Sequence, residues 1–236
     1  DLGNYITEIG EISESAAKEY QIESGLSSQK GEWAPVNFEF KDWGDTGTYI
    51  VAGTSIDEVQ TLLDDHVIKT QTMKGSPYAV QFQEVLTKWE GFLGNVQDII
   101  DVWLKVQGVW LYLEPIFSSD DIMQQMPTEG RLFREVDSVW REIMTRCRDE
   151  PAALTMFAQE GFLQELQTAH EKLDIVQKGL NDYLETKRLF FPRFFFLSND
   201  NLLEILSETK DPRNVNAHIK KAFEGIQSLH FEDDMK

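Results

Sequence analysis

The chain has 236 residues, with 22 Lys plus Arg against 41 Asp plus Glu and a formal charge of −19. So acidic a surface repels nucleic-acid backbones and anionic leaflets, which sets aside functions that depend on neutralising phosphates. With 41% hydrophobic and 11% aromatic residues there is ample material for a core, so wholesale disorder is excluded, and the length suits one large domain or two small ones.

Leu2, Ile6, Ile9, Ala16, Tyr20 and Leu26 recur at helical steps with acids and serines between them, predicting an amphipathic helix over residues 2–28. The period then drops to two. Val36, Phe38 and Phe40 alternate with Asn37 and Glu39, residues 41–47 are rich in Gly and Asp, and 48–52 is β-prone, so a small β-hairpin is expected near residues 36–52. Ser55 with Glu58 has capping-box spacing and predicts a helix to about Lys69, followed by a turn at Met73 to Tyr78 that contains Gly75 and Pro77. From Tyr78 a stripe runs through Phe82, Leu86, Trp89, Leu93, Val96, Ile100 and Trp103, a helix of about 30 residues or ~45 Å. That length favours an elongated bundle over a compact globule.

Gly108 is expected to soften this helix and Pro115 to break it, with a short helix after 117–121 ending near Met126. Pro127 opens another helix, carrying Leu132, Phe133, Val136, Val139, Trp140 and Ile143 on one face. Pro151 opens a turn or two up to Gly161, and Phe162, Leu166, Leu173, Leu180 and Leu184 mark a long helix ending at 189–192. Asn199 or Asp200 can cap a helix over 201–208, and Asn214 or Asn216 one that runs through Phe223. The fold class is mainly α with one hairpin, in three stretches: helix plus hairpin over 1–53, a long-helix bundle over 54–150 and a second helical bundle over 151–236.

Little in the sequence speaks for catalysis. No Gly-Lys-Ser/Thr turn is available to cradle phosphates; Gly44-Asp45-Thr46-Gly47 lacks the lysine and reads as the hairpin turn. His170 and Asp174 share a helical face, but a zinc-protease helix needs a second histidine where Asp174 stands, so a solvated surface is expected and neither a metal nor a cofactor. Cys147, the one cysteine, cannot form an internal disulfide and reads as a core residue between Arg146 and Arg148 rather than a nucleophile. With no Asn-x-Ser/Thr site, this points to a reducing, intracellular compartment. The acid pairs Asp64-Asp65, Asp120-Asp121 and Asp233-Asp234 read as solvated acids and caps, not as the converging pair a hydrolase needs. The densest apolar stretch, 189–197, is too short to span a membrane, and the start at Asp1 without a leader reads as an excised fragment.

Two apolar features remain. Trp89, Trp103, Trp110 and Trp140 lie at helical spacing, which fits core or inter-helix packing, with a protein interface as the second reading. Phe190, Phe191, Phe194, Phe195 and Phe196 crowd into seven positions. In an extended strand Phe194 and Phe196 would face one way and Phe195 the other, leaving a core plug and a docking surface both open.

The string Leu189-Phe190-Phe191-Pro192-Arg193-Phe194-Phe195-Phe196-Leu197-Ser198-Asn199-Asp200, continued through Leu202-Leu203-Glu204-Ile205-Leu206-Ser207-Glu208-Thr209-Lys210-Asp211-Pro212 and His218 to Ile226, resembles the linker region of dynein heavy chains, the axonemal branch above all. Trp110-Leu111-Tyr112-Leu113-Glu114-Pro115-Ile116-Phe117-Ser118-Ser119 and the helix around Val139-Trp140 resemble it too. The resemblance implies an arched helical rod lying across an AAA+ ring and bending as the ring turns over ATP and Mg. The partners implied are that ring and, through the parent chain, other dynein subunits and microtubules, in the cytoskeleton of a cilium or flagellum. For such a rod Gly108 to Pro127, with Pro115 between, is the candidate bend, and Phe194, Phe195, Phe196 and Trp110 are candidate contacts. On composition and periodicity alone a passive spectrin-like adaptor competes.

Overall fold

Helical periodicity dominates the sequence, and the computed structural model, which describes residues 5–207 and 212–231, is built from it. The elements run α1 (Ile6–Trp33), β1 (Phe40–Asp42), β2 (Tyr49–Val51), α2 (Gly53–Lys74), α3 (Gln83–Phe117), α4 (Asp120–Gln125), α5 (Pro127–Asp149), α6 (Ala153–Phe157), α7 (Phe162–Phe190), α8 (Asn199–Ser207) and α9 (Asn216–Ala222). Short 3-10 turns occupy Pro77–Phe82, Pro192–Phe196 and Pro212–Val215. Leu2, Glu208, the pair Asp233-Asp234 and the capping side chain of Asn214 lie outside the described residues. Among the described residues no helix is long and apolar enough to cross a membrane.

The chain divides into two units, Asp1–Leu104 with Arg141–Leu166, and Lys105–Trp140 with Gln167–Lys236. In the first, β1 and β2 pair antiparallel with Phe40 opposite Val51 and Asp42 opposite Tyr49. Gly44 and Gly47 take the positive φ that the connecting turn requires, and Arg141 donates to the carbonyl of Thr46 at 2.5 Å. The hairpin is shorter than the period-two pattern suggests. Val36 to Phe38 pair instead with residues 151–153: Phe38 N–H donates to Pro151 O at 2.9 Å and Ala153 N–H to Val36 O at 2.9 Å. Pro151 is therefore extended, and the short helix expected after it begins two residues later as α6.

The capping box at Ser55 does not form. Ser55 lies inside α2, and its hydroxyl donates back to Ala52 O at 2.9 Å while accepting the amide of Glu39 at 3.3 Å, tying hairpin to helix. At the centre of this unit Phe38 sits 5.4 Å from Trp103 and 5.6 Å from Phe157, and Trp103 sits 5.9 Å from Phe162, ring centroid to ring centroid. Gln29 is buried with them at the end of α1, its side-chain oxygen accepting from Trp89 Nε1 at 2.6 Å and Thr70 Oγ1 at 3.0 Å.

In the second unit Phe117 stacks on Phe133 at 5.2 Å, Trp110 lies 5.9 Å from Trp140, and Leu173, Val176, Leu180 and Leu184 of α7 are fully buried. α4 packs on α8, and α5 passes so close to α4 that a Cβ on Gly130 would stand 2.6 Å from Met123 Sδ.

Neither Gly108 nor Pro115 breaks α3, contrary to the expectation from residue type. Val106, Trp110 and Leu113 around Gly108 are fully buried, and that packing holds the helix through the glycine. Pro115 falls in the last turn, where its missing donor forfeits one bond while Ser118 N–H still reaches Glu114 O at 3.0 Å. The interruptions fall at residues 118–119 and at Met126. Because a Cβ at Gly108 would meet nothing within 4 Å, Gly108→Ala should stabilise the chain by about 0.5–1 kcal/mol. A urea transition moving to higher concentration checks this; a move to lower concentration would show that the glycine serves a conformation other than helix.

Candidate functional site

The phenylalanine segment is not extended. α7 ends at Phe190, Phe191 N–H donates to Lys187 O at 3.0 Å, and Pro192 starts a 3-10 turn with its φ already set. Phe194 N–H then bonds Phe191 O at 2.9 Å and Leu197 N–H bonds Phe194 O at 3.1 Å. Arg188 clamps the exit, donating to Leu197 O at 3.2 Å and Asn199 Oδ1 at 2.7 Å. With three residues per turn, side chains at i and i+3 align, so the period-two pairing of Phe194 with Phe196 does not hold. Phe191 and Phe194 meet edge to face at 4.8 Å, Phe191 lies 6.2 Å from Phe223, and the guanidinium of Arg193 sits 5.1 Å from the Phe223 ring.

This inner set supports an outer one. Phe190 is 90% exposed, Phe196 69% and Phe195 57%, with Leu189 equally open, so the core-plug reading fails for these residues. Lys187 and Arg188 lie in the last turn of α7, Arg193 in the 3-10 turn, and Lys220 and Lys221 in α9, which packs on that turn. Large apolar side chains held outward by a braced turn, with cations beside them, are the features of a docking surface.

Trp110 has the opposite fate. It is fully enclosed, and its indole N–H donates to Asp137 Oδ1 at 2.9 Å, so it braces α3 against α5 rather than meeting a partner. Trp89, Trp103 and Trp140 are buried as well, as the packing reading expects. Pro115 lies on the wall of a second feature, a groove of about 390 Å³ lined by Pro115, Ile116, Ile122 and Leu203 with Tyr112 and the carboxylates of Asp200 and Glu204. Burial, then the charge of Asp200, raises the Tyr112 phenol above its ordinary value. The groove is missed by sequence reasoning because its walls come from α3, α4 and α8, which no spacing rule connects.

Among the described residues the remaining titratable groups form no assembled centre. His170 Nε2 lies 3.7 Å from Asp174 Oδ2, and among the described residues no group of three or more His, Cys, Asp or Glu converges as metal ligands would. Asp65 holds Lys69 at 2.5 Å, and Asp120 and Asp121 occupy the first turn of α4. Cys147 is buried, and desolvation pushes its thiol up to about 12 against the weaker opposing charge of Arg146. At pH 8 only about one thiol in ten thousand is thiolate. In the native chain Cys147 should therefore resist iodoacetamide until the chain unfolds in urea; rapid native-state alkylation, read by mass spectrometry, would contradict its enclosure.

Comparison with known proteins gives the family. A family model described as dynein heavy chain, N-terminal region 2, matches residues 1–236, and the chain belongs to that family. It is 52% identical over 231 residues to dynein axonemal heavy chain 12 of Homo sapiens, covering 98% of this chain and 7% of that protein. It is also 52% identical over 235 residues to dynein axonemal heavy chain 3 of Homo sapiens, covering 100% and 6%, and 44% identical over 236 residues to dynein axonemal heavy chain 1 of Rattus norvegicus, covering 100% and 5%. The chain thus spans only a small part of the length of the relatives it matches.

Proposed function

We propose that this chain is a mechanical linker segment of an axonemal dynein heavy chain, which carries ATP-driven changes of an AAA+ ring into movement along microtubules in a cilium or flagellum. The observation that carries the reading is the braced turn at Pro192–Phe196, which holds Phe190, Phe195 and Phe196 outward within a chain that matches the family along all its residues. Long helices resist bending, so each can carry force along its own axis, and an apolar patch gives the segment a surface that can dock and release. The ring of the same heavy chain is the proposed dock. Family membership favours this over the spectrin-like adaptor.

The segment itself is proposed to be non-catalytic and without a cofactor. Titration calorimetry with Mg-ATP should give no saturable heat at micromolar nucleotide, because no Gly-Lys-Ser/Thr turn is present in the sequence; stoichiometric binding would overturn this. The docking proposal is tested by placing the photo-crosslinker p-benzoylphenylalanine at position 196 of a heavy chain that carries this segment. Cross-linked peptides from the ring are expected. Cross-links confined to segments outside the ring would contradict the assignment.

A further inference from the structure

The first half of α1 presents an apolar stripe that no other described residue covers. Tyr5, Ile9, Ile12, Ala16 and Tyr20 follow one another at steps of four, three, four and four, and all are exposed, the four large ones by more than half. The second half of the same helix buries Ile22, Leu26, Gln29 and Trp33 against its own unit. At about 100° per residue the two stripes point roughly 110° apart around the helix axis. The elements that bury the second stripe leave the first exposed, although Glu19 on its flank accepts from Gln81 Nε2 at 2.6 Å.

We propose that residues 5–20 form one side of a helix–helix seam whose other side is a basic amphipathic helix. Alternating steps of three and four are the spacing at which side chains interlock with a second helix, so the shape selects a helix as the occupant. Charge selects its sign. At about 100° per residue Glu8 and Glu19 flank the stripe with no Lys or Arg beside them, whereas Glu11, Glu14 and Lys18 fall on the far side of the helix. A second copy would bring the same acids and a further −19 charge, and an anionic lipid surface would meet the same repulsion, whereas Lys or Arg flanking the partner's apolar stripe would pair with the glutamates. The inference is independent of the phenylalanine turn and its proposed dock.

The test uses the 236-residue chain and a fluorescein-labelled peptide of four heptads with Leu at positions a and d and Lys at e and g, which its own charge keeps from self-pairing. Anisotropy at about 0.15 M salt, where exposed charge is largely screened, should show saturable binding. Ile9→Ser with Ile12→Ser should weaken it at least tenfold, about what the lost burial of two isoleucines predicts, and Ile9→Leu with Ile12→Leu should retain it. Both pairs lie in solvent, so thermal melts should be alike. Absence of binding, equal binding by the Ser pair, or equal binding of a scrambled peptide of the same composition would overturn the proposal. So would sedimentation showing a dimer of the chain that the Ser pair dissolves, since the occupant would then be a second copy.

Discussion

Trp33→Ala is expected to destabilise the chain by about 3–5 kcal/mol, a large share of the ~5–15 kcal/mol typical of a domain. Trp33 is fully buried at the end of α1, edge-on to Phe92 and to Phe157, with ring centroids 6.4 Å away in each case. Its indole N–H donates to His66 Nδ1 at 2.9 Å. An indole nitrogen only donates, so Nδ1 is the bare nitrogen of His66, and Nε2 carries the proton that faces Glu32 Oε2 at 3.1 Å. Truncation opens a cavity and also strands a buried acceptor. Trp33→Phe separates the two effects, because it keeps most of the packing and should cost only about 1–3 kcal/mol for the stranded nitrogen. Urea titration followed by circular dichroism checks both; a Trp33→Ala loss below about 1 kcal/mol would mean that this aromatic junction is not core. The same junction has an acid-side signature. The Ser28 hydroxyl, then His66, holds the Glu32 carboxyl below its ordinary 4.5, so its stabilising contribution is complete above that pH and fades as pH falls through the depressed value.

How much of this was legible in the sequence depended on whether a pattern was local. α3, α5 and α7 announce themselves because each carries a wide apolar stripe over many turns, and Pro127 marks the start of α5 as it stands. α1 extends to Trp33, beyond the expected end, because Gln29 interrupts the apolar period; it is buried all the same, its side-chain oxygen accepting from Trp89 and Thr70 in distant parts of the chain. The hairpin was visible in its alternation, yet its register was not, since Val36 to Phe38 find their partners at residues 151–153. Ser55 obeyed the spacing of a cap and served instead as a tie to Glu39. In the phenylalanine turn the crowding of aromatic residues was legible. Its conformation was not read, although Pro192 after Phe191 is the local sign of a turn with a period of three rather than two.

That turn is where the second large effect is expected. Phe190→Ser, Phe195→Ser and Phe196→Ser together should leave thermal stability of the isolated chain within a few degrees, because exposed positions contribute about ±0.5 kcal/mol each. In the heavy chain the same change should be severe. Burying one Phe against a partner is worth about 1.5–3 kcal/mol, so losing three removes about 4.5–9 kcal/mol, a range that brackets the ~5.5 kcal/mol that shifts a two-state equilibrium from 99:1 to 1:99. The docked state of the segment would be largely depopulated, while the substitutions leave the nucleotide sites of the ring untouched. The most direct measurement is microtubule gliding by a heavy chain with and without the three substitutions, alongside its basal ATPase. Gliding slowed several-fold with ATPase within about twofold of the unsubstituted motor is the predicted result; unchanged gliding velocity would contradict the assignment of this turn, and with it the linker account.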